Sequence, residues 1–434
     1  MKIKHAVIAL IAIATAQGAY AQGGTNSPYS QYGLGALHDG ATSFNRGMNG
    51  LGIAFRGGPI VNPLNPASYS AIDSLTFIFD VGMSGQITNF EQNNKRINAN
   101  NASIEYAVAS FRAFRHVGMS FGLLPYSTIG YNYSNSETIS PALGAATTTY
   151  TNAYNGSGGL HQAYIGIAWE PLKGLSAGAN IAYLWGSISR SVINSYSTNT
   201  VNTLSKYYDA QVRNYKADFG LQYQLNIGKS DALTVGLTYS PGHNLKADPQ
   251  CLIISKNAES GVADTTRYTI DNGLAIADTY GAGLSYQHGG KWRVGADYQV
   301  QKWENIAFPV YNEGTQTRYT LSEKYFQNRT RITLGGEYCP DELSRNYFKR
   351  MRYRVGASYT SPQLNINQAD GPKEISVSAG FSFPITGMYR RLSNLNISAQ
   401  WARQEAKGMI KENTFRLNIG LTFNERWFAK WKVE

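Results

Sequence analysis

Cysteine is nearly absent: Cys251 and Cys339 are the only two in 434 residues. That excludes a disulfide-built scaffold, a CxxC redox pair and a cysteine zinc site. In an exported chain the two allow one disulfide, and two unpaired small residues are the plainer reading. Charge is sparse as well, at 15%. The net charge is +11, but the 39 Lys and Arg are scattered with no run of five, so no nucleic-acid partner is read from them. Beyond the first 21 residues no segment approaches the ~20 apolar residues of a transmembrane helix, and mean hydropathy is slightly polar at −0.32. A helical membrane protein is excluded.

Catalytic and metal motifs are missing too. His5, His38, His116, His161, His243 and His288 form no HExxH, and there is no GxSxG elbow or Walker loop. The glycine-rich stretch 47–58 lacks the preceding strand and following helix that a phosphate cradle needs. No metal or cofactor is implied, and the chain does not read as an enzyme. His161 and His243 fall near expected strand ends, where a polar residue is ordinary; a Ser/His hydrolase on the barrel wall is the least favoured alternative.

What the chain has instead is 44 Gly, 30 Tyr and 12% aromatics. Residues 1–21 have the parts of a secretory signal: Lys2, Lys4 and His5, the apolar run AVIALIAIATA, then Ala19-Tyr20-Ala21 before an expected mature start at Gln22. No Cys follows the cleavage point, so a lipid anchor is not expected. Export without a helix leaves a soluble periplasmic or secreted protein, or a barrel in the outer membrane.

From residue 74 the sequence alternates with period two in segments of about ten residues bounded by Gly, Asn, Asp and Pro. Fourteen strands are expected near 74–88, 101–114, 117–133, 160–170, 174–190, 211–226, 232–245, 277–288, 291–304, 329–338, 351–360, 374–383, 394–403 and 414–423. Short links at Arg112 to His116, Glu170 to Lys173 and Gly289-Gly290 alternate with long ones at 134–159, 191–210, 246–276 and 305–328. An even strand count with alternating links is the pattern of a transmembrane barrel in outer-membrane lipid, with both mature termini periplasmic.

The last segment separates the faces. Phe415, Leu417, Ile419, Leu421 and Phe423 alternate with Arg416, Asn418, Gly420 and Thr422, and Tyr353, Val355, Ala357 and Tyr359 alternate with Arg352, Arg354, Gly356 and Ser358. An Arg facing lipid at mid-bilayer costs ~2–4 kcal/mol, so Arg352 and Arg354 must face the lumen. The same holds for Asp218, Arg293, Asp297, Arg331 and Glu337. A lumen of mixed charge predicts internal ion pairs rather than a wide pore.

Residues 22–72 break the pattern. They are rich in Gly, Asn and Pro yet contain Phe44, Met48, Leu51, Ile53 and Phe55, which a disordered arm would lack. Irregular backbone at membrane depth survives only inside protein or a wet cavity, so this segment is expected to plug the barrel. The chain then divides into a signal peptide (1–21), a plug (22–72), a barrel (73–423) and a periplasmic tail (424–434) carrying Trp427, Phe428 and Trp431.

Arg46-Gly47-Met48 with Gly50 and Gly52, then Asn65-Pro66-Ala67 directly before the first strand, resembles the plug of FadL-type outer-membrane transporters of long-chain fatty acids and other hydrophobic compounds. The segment 274–306, with Asp297 and Trp303, is similar to a hairpin of that family, although Ile276-Ala277 stand where the family usually has a Pro. The resemblance spans the mature chain and implies a fourteen-stranded, plug-bearing, all-β barrel. It also implies passive uptake of a hydrophobic small molecule by plug displacement and sideways release. The third strand carries Pro125, which cannot donate to a ladder. Leu123, Leu124, Pro125 and Tyr126 therefore form either a lateral gate or an ordinary bulge. Phe44, Leu51, Ile53 and Phe55 either line a ligand cavity or anchor the plug. Leu252-Ile253-Ile254 is either an external capture patch or a strand extension over the mouth. The alternative function is an accessory or scaffold subunit, with protein partners, of a larger outer-membrane complex for secretion or barrel insertion.

Overall fold

The structure, a computed structural model, describes residues 25–139, 148–198, 201–228, 230–312, 318–366, 369–386 and 392–426. The expected signal peptide and Trp427, Phe428 and Trp431 of the tail lie outside the described residues.

Seven strands make the first half of the wall: β1 (Thr76–Gln92), β2 (Lys95–Phe114), β3 (Val117–Ile139), β4 (Thr148–Leu172), β5 (Leu175–Tyr196), β6 (Thr203–Ile227) and β7 (Asp231–Ser240). The second half is β8 (Asp278–His288), β9 (Trp292–Lys302), β10 (Arg329–Tyr338), β11 (Arg352–Thr360), β12 (Lys373–Thr386), β13 (Leu392–Glu405) and β14 (Lys411–Arg426). Each pairs antiparallel with the next, and β1 closes on β14 from Thr76↔Arg426 to Glu91↔Lys411. The result is the expected all-β, fourteen-stranded barrel. The end holding the start of β1 and the end of β14 is called the terminal end below, and the opposite one the distal end.

Alternation explains the faces. Phe415, Val355 and Ile181 are 52%, 62% and 59% exposed on the outer surface, whereas Arg354 and Glu337 are each 4% exposed inside. The outward set must be apolar because it meets hydrocarbon; the inward set is polar because it meets the plug and its own ion pairs. Arg354 Nε donates to Glu337 Oε2 at 2.7 Å and Arg352 Nη1 to Oε1 at 2.8 Å.

The strands differ greatly in length. β7 to β11 have 9 to 11 residues, about the number needed to cross a bilayer. β3 to β6 have 22 to 25, roughly 80 Å of strand at ~3.3 Å per residue, so they rise well past the membrane on the distal side. Most of 134–159 and 191–210, expected as loops, is therefore strand. In TTYTNAYN (148–155) every residue is half-buried and most are polar, so no apolar alternation marks the element. The 246–276 link also folds: Gln250–Lys256 pairs with Ala263–Thr269 on one side and with the outer half of β6 on the other. β7 stops at Ser240 rather than 245 because Pro241 has no N–H to continue the ladder. Residues 243–245 pair instead with 274–276. At the other limit of the barrel, β14 runs three residues past Phe423 to Arg426.

The alternation of link lengths holds from β2 to β10 and fails elsewhere. The distal β1–β2 link is only Asn93-Asn94, both at positive φ of 48° and 61°. At the terminal end the β10–β11 link, 339–351, is long and includes the short helix Tyr347–Arg350. Cys251 and Cys339 are both free and buried, so no disulfide joins them.

Candidate functional site: plugged lumen and wall seam

The plug is fixed by directed hydrogen bonds. Asn65 caps the 3-10 helix Pro66–Ala71 by accepting from the Ala67 N–H at 3.0 Å, while its amide donates to the carbonyls of Ile53, Leu221 and Leu237. The motif thus ties the plug to itself and to β6 and β7. Asp297 on β9 accepts the N–H groups of Gly52 and Ile53 at 2.7 and 2.9 Å. Arg46 reaches Glu105 at 2.9 Å and Arg56 reaches Glu170 at 3.0 Å. Asn49 donates to Ser358 Oγ at 2.7 Å and accepts from Gln400 at 2.6 Å. Each such bond adds about 1 kcal/mol, and each partner left unmade when buried costs ~1–3 kcal/mol.

Wall glycines let the plug backbone lie this close. A Cβ on Gly118 would strike the Tyr69 carbonyl, on Gly178 the Pro66 carbonyl, on Gly236 the Ile53 carbonyl and on Gly356 the backbone of Met48. Phe44, Met48, Leu51 and Phe55 form the plug's own small apolar core, each no more than 3% exposed. Arg354 lies over the Phe44 ring at 4.6 Å and Arg293 over Phe55 at 5.5 Å.

The distal end is closed differently. Across β3, β4 and β5 the wall bends at one level. The β3–β4 register slips between Pro125 and Ser127. Opposite it, Gly158 and Gly159 adopt φ of 111° and 135°, which an L side chain rarely does. Beyond the bend Ile129, Leu160, Leu184 and Val212, all buried, pack with Trp303, Phe308 and Phe326 from the β9–β10 link into an apolar cap. Trp303 and Phe326 rings sit 5.1 Å apart.

The wall is also split. β2 and β3 pair only from Ala107↔Leu123 to Phe114↔Val117. Beyond that, among the described residues, β2 pairs only with β1, while β3 turns away with β4. Residues 25–38, a strap leading into the plug, occupy the seam. Ala36 and Leu37 pair with Thr128 and Ser127 of β3. The His38 N–H donates to the Tyr126 carbonyl at 2.9 Å, and Asn26 Nδ2 to the Asn100 carbonyl of β2 at 3.2 Å. Leu123 is 54% exposed on the outer wall, Leu124 is buried, and Pro125 stands opposite His161. The residues singled out in the third strand thus sit where the wall opens and the strap enters.

Between plug and cap lie two polar cavities of about 220 and 120 Å³, which share His38, Asp39, Arg329 and Arg331. Arg46, Arg416, Glu374 and Glu412 line the larger one; Lys216, Asp218, Leu124 and Tyr126 line the smaller. Phe44, Leu51, Ile53 and Phe55 line neither. Arg331 pairs with Asp39 at 2.9 Å. Burial would push the Asp39 carboxyl up, but the Arg331 and Arg46 charges outweigh it and hold it well below the usual carboxylate range. Leu252, Ile253 and Ile254 are half-buried in the distal sheet, between Tyr207-Lys206-Ser205 and Arg267-Thr266-Thr265, far along the chain from Pro125 and the plug. His161 packs beside Trp185, and His243 stacks on Tyr215 at 4.4 Å. The strap and the seam were not foreseen, whereas Arg331 was expected to face the lumen and does; the sequence signals at the bend are Pro125 and Gly158-Gly159, the glycines standing opposite Ile129 and Thr128.

The sequence pattern of the BamG family matches residues 2–434. The chain belongs to the BamG family. No curated protein sequence matches it. Solved structures with the same architecture include the monoaromatic hydrocarbon channel CymD, at 16% identity over 92% of this chain and 100% of that one, TM-score 0.59. The Ralstonia pickettii toluene transporter TbuX matches at 15% over 90% and 99%, TM-score 0.57. A Pseudomonas aeruginosa FadL homologue matches at 12% over 90% and 99%, TM-score 0.58. At these identities the likeness is one of fold: this BamG-family chain has the FadL-type barrel fold.

Proposed function

We propose that this barrel is an accessory or scaffold subunit of a larger outer-membrane assembly, with both mature termini periplasmic, rather than a conduit. The observation that carries the reading is the closed, polar lumen. An apolar compound passing between plug and cap would strip water from Arg46, Arg329, Arg331 and Arg416 without replacing its hydrogen bonds, a cost of several kcal/mol. It would also have to break the Asp297, Asn65 and Arg46 contacts that sew in the plug. The tall β3–β6 wall adds a large sheet above the membrane that passage does not require. Extraction in mild detergent, followed by size analysis and mass spectrometry of everything retained, tests it. Stoichiometric protein partners are expected; a lone barrel carrying fatty acid or an aromatic hydrocarbon would refute the proposal.

One observation favours a second reading, uptake of a hydrophobic small molecule with sideways release. The seam between β2 and β3 is held by a strap that makes only two ladder pairs with β3. The structural neighbours are themselves described as hydrocarbon channels and a toluene transporter. Leu37→Cys with Ser127→Cys would lock the strap across the seam, since these residues are direct cross-strand partners. Uptake of toluene or oleate that stops on oxidation and returns on reduction would establish this reading; uptake indifferent to the lock would discard it.

A further inference from the structure

The β10–β11 link, 339–351, takes no part in plug, cap or seam, yet it is well ordered. The Cys339 N–H donates to the Lys291 carbonyl at 2.8 Å and the Asp341 N–H to the Lys349 carbonyl at 2.9 Å. Asn346 caps the helix Tyr347–Arg350 by accepting from the Phe348 N–H at 3.0 Å. This frame turns its apolar side chains outward. Leu343 is 94% and Phe348 69% exposed, more than lipid-facing Val355. Arg345 lies between them in the chain, and Lys349 and Arg350 follow Phe348 directly. Two acids share the link, but Glu342 is paired with Arg352 at 3.0 Å and Asp341 accepts the Leu343 N–H. The Arg350 Nε is buried without a hydrogen-bond partner, and its guanidinium lies 5.5 Å from the Tyr347 ring centre.

The level of this link in the membrane can be fixed from its neighbours. Trp292, Tyr338, Tyr353 and Phe381 are successive cross-strand partners over β9 to β12. Their rings form a row, Trp292 on Tyr338 at 4.1 Å and Tyr353 on Phe381 at 5.8 Å. An aromatic row at strand ends marks the headgroup level of a barrel. The link begins one residue after Tyr338, and Tyr353 donates its hydroxyl to the Phe348 carbonyl at 3.1 Å. Leu343 and Phe348 are thus presented at the boundary of headgroups and acyl chains, with three cations beside them.

We propose that residues 339–351 form an interfacial clamp for anionic phospholipid. Leu343 and Phe348 enter the acyl boundary, and Arg345, Lys349 and Arg350 take the phosphate oxygens. The clamp orients this side of the barrel in the leaflet nearest the termini, and it holds under either functional reading above.

The test uses the full-length barrel in mild detergent, with native mass spectrometry of retained phosphatidylglycerol against phosphatidylethanolamine. The triple variant Arg345→Gln, Lys349→Gln, Arg350→Gln should weaken phosphatidylglycerol retention on the order of tenfold or more and leave phosphatidylethanolamine unchanged. Arg112→Gln, Arg115→Gln, Lys173→Gln, at the same end but in or next to short turns, should change neither. Equal phosphatidylglycerol retention by the first variant, or equal loss in the second, overturns the clamp. A nitroxide on Leu343→Cys in mixed vesicles gives an independent measure, since both native thiols are buried. More frequent collision with oxygen than with an aqueous nickel complex is expected. An aqueous signature, as when the link docks a periplasmic protein instead, overturns the proposal.

Discussion

At the terminal end the lumen is closed by polar groups, each with a named partner; at the distal end it is closed by side chains that only need to fill space. Asp297, Asn65, Arg46 and Arg354 act through direction and charge. Trp303, Phe308, Phe326 and Leu184 act through contact area. The difference follows from what each closure meets. The plug is irregular backbone with many N–H and C=O groups that must be paired inside the barrel. The cap is made of strand and hairpin backbone already paired in sheets, so only its side chains remain to be buried. A directed closure should therefore fail at single substitutions that preserve shape, and a packed one should tolerate them.

The sharpest break is Glu337→Leu. It leaves Arg352 and Arg354 facing each other beneath the plug without their shared carboxylate, at a cost of roughly 3–5 kcal/mol. Urea unfolding from lipid vesicles should show a clearly lowered midpoint, and adding Arg354→Met should recover part of it. If the double variant is worse than the single, the pair does not act through its charge. Next is Asp297→Leu, close in volume but unable to accept from Gly52 and Ile53. The loss of about 2–3 kcal/mol should appear as faster hydrogen exchange over residues 50–56 while the strands keep their protection. Plug amides that stay protected would mean that other contacts suffice.

The cap gives the contrasting case. Phe326→Leu keeps an apolar side chain among Trp303, Phe308 and Tyr325, so the cost should stay under about 1.5 kcal/mol. A loss as large as that of Asp297→Leu would erase the proposed difference between the closures.

The same contrast decides what could be read from the sequence. Wherever lipid lies outside and polar groups inside, alternation was plain, as in Phe415 to Phe423 and Arg352 to Tyr359, and all fourteen strands were foreseen close to their observed positions. Above the membrane no lipid demands an apolar outer face, so the mostly polar, half-buried stretch Thr148 to Asn155 carried no period and the tall wall was taken for loops. The plug was legible as a segment because Phe44, Leu51 and Phe55 sit among glycines and prolines. Its partners were not, since nothing in the sequence says that Asn65 reaches Leu221 and Leu237 or that Gly236 faces Ile53. One trace was available: Gly356 and Gly420 fall on the inward face beside Arg354 and Asn418, where a missing side chain makes room for another chain segment. The seam left no mark beyond Pro125, because it is a pairing that does not occur.

The mildest effect comes from acid. Asp39 joins the strap to the wall through Arg331, and its carboxyl is held well below the usual range by Arg331 and Arg46 despite burial. A depressed folded value means stabilisation that is whole above the unfolded value of about 3.9 and is lost as pH falls from there toward the folded one. A spin label on Ala36→Cys should therefore have the same mobility at pH 7 and pH 5.5, and gain mobility only below about pH 4. In an Asp39→Asn background the label should be freer at pH 7 and insensitive to that step. Loosening already at pH 5.5 would show that another group governs the strap, and His38, hydrogen-bonded to Thr128 at 2.7 Å beside it, would be the one to replace next.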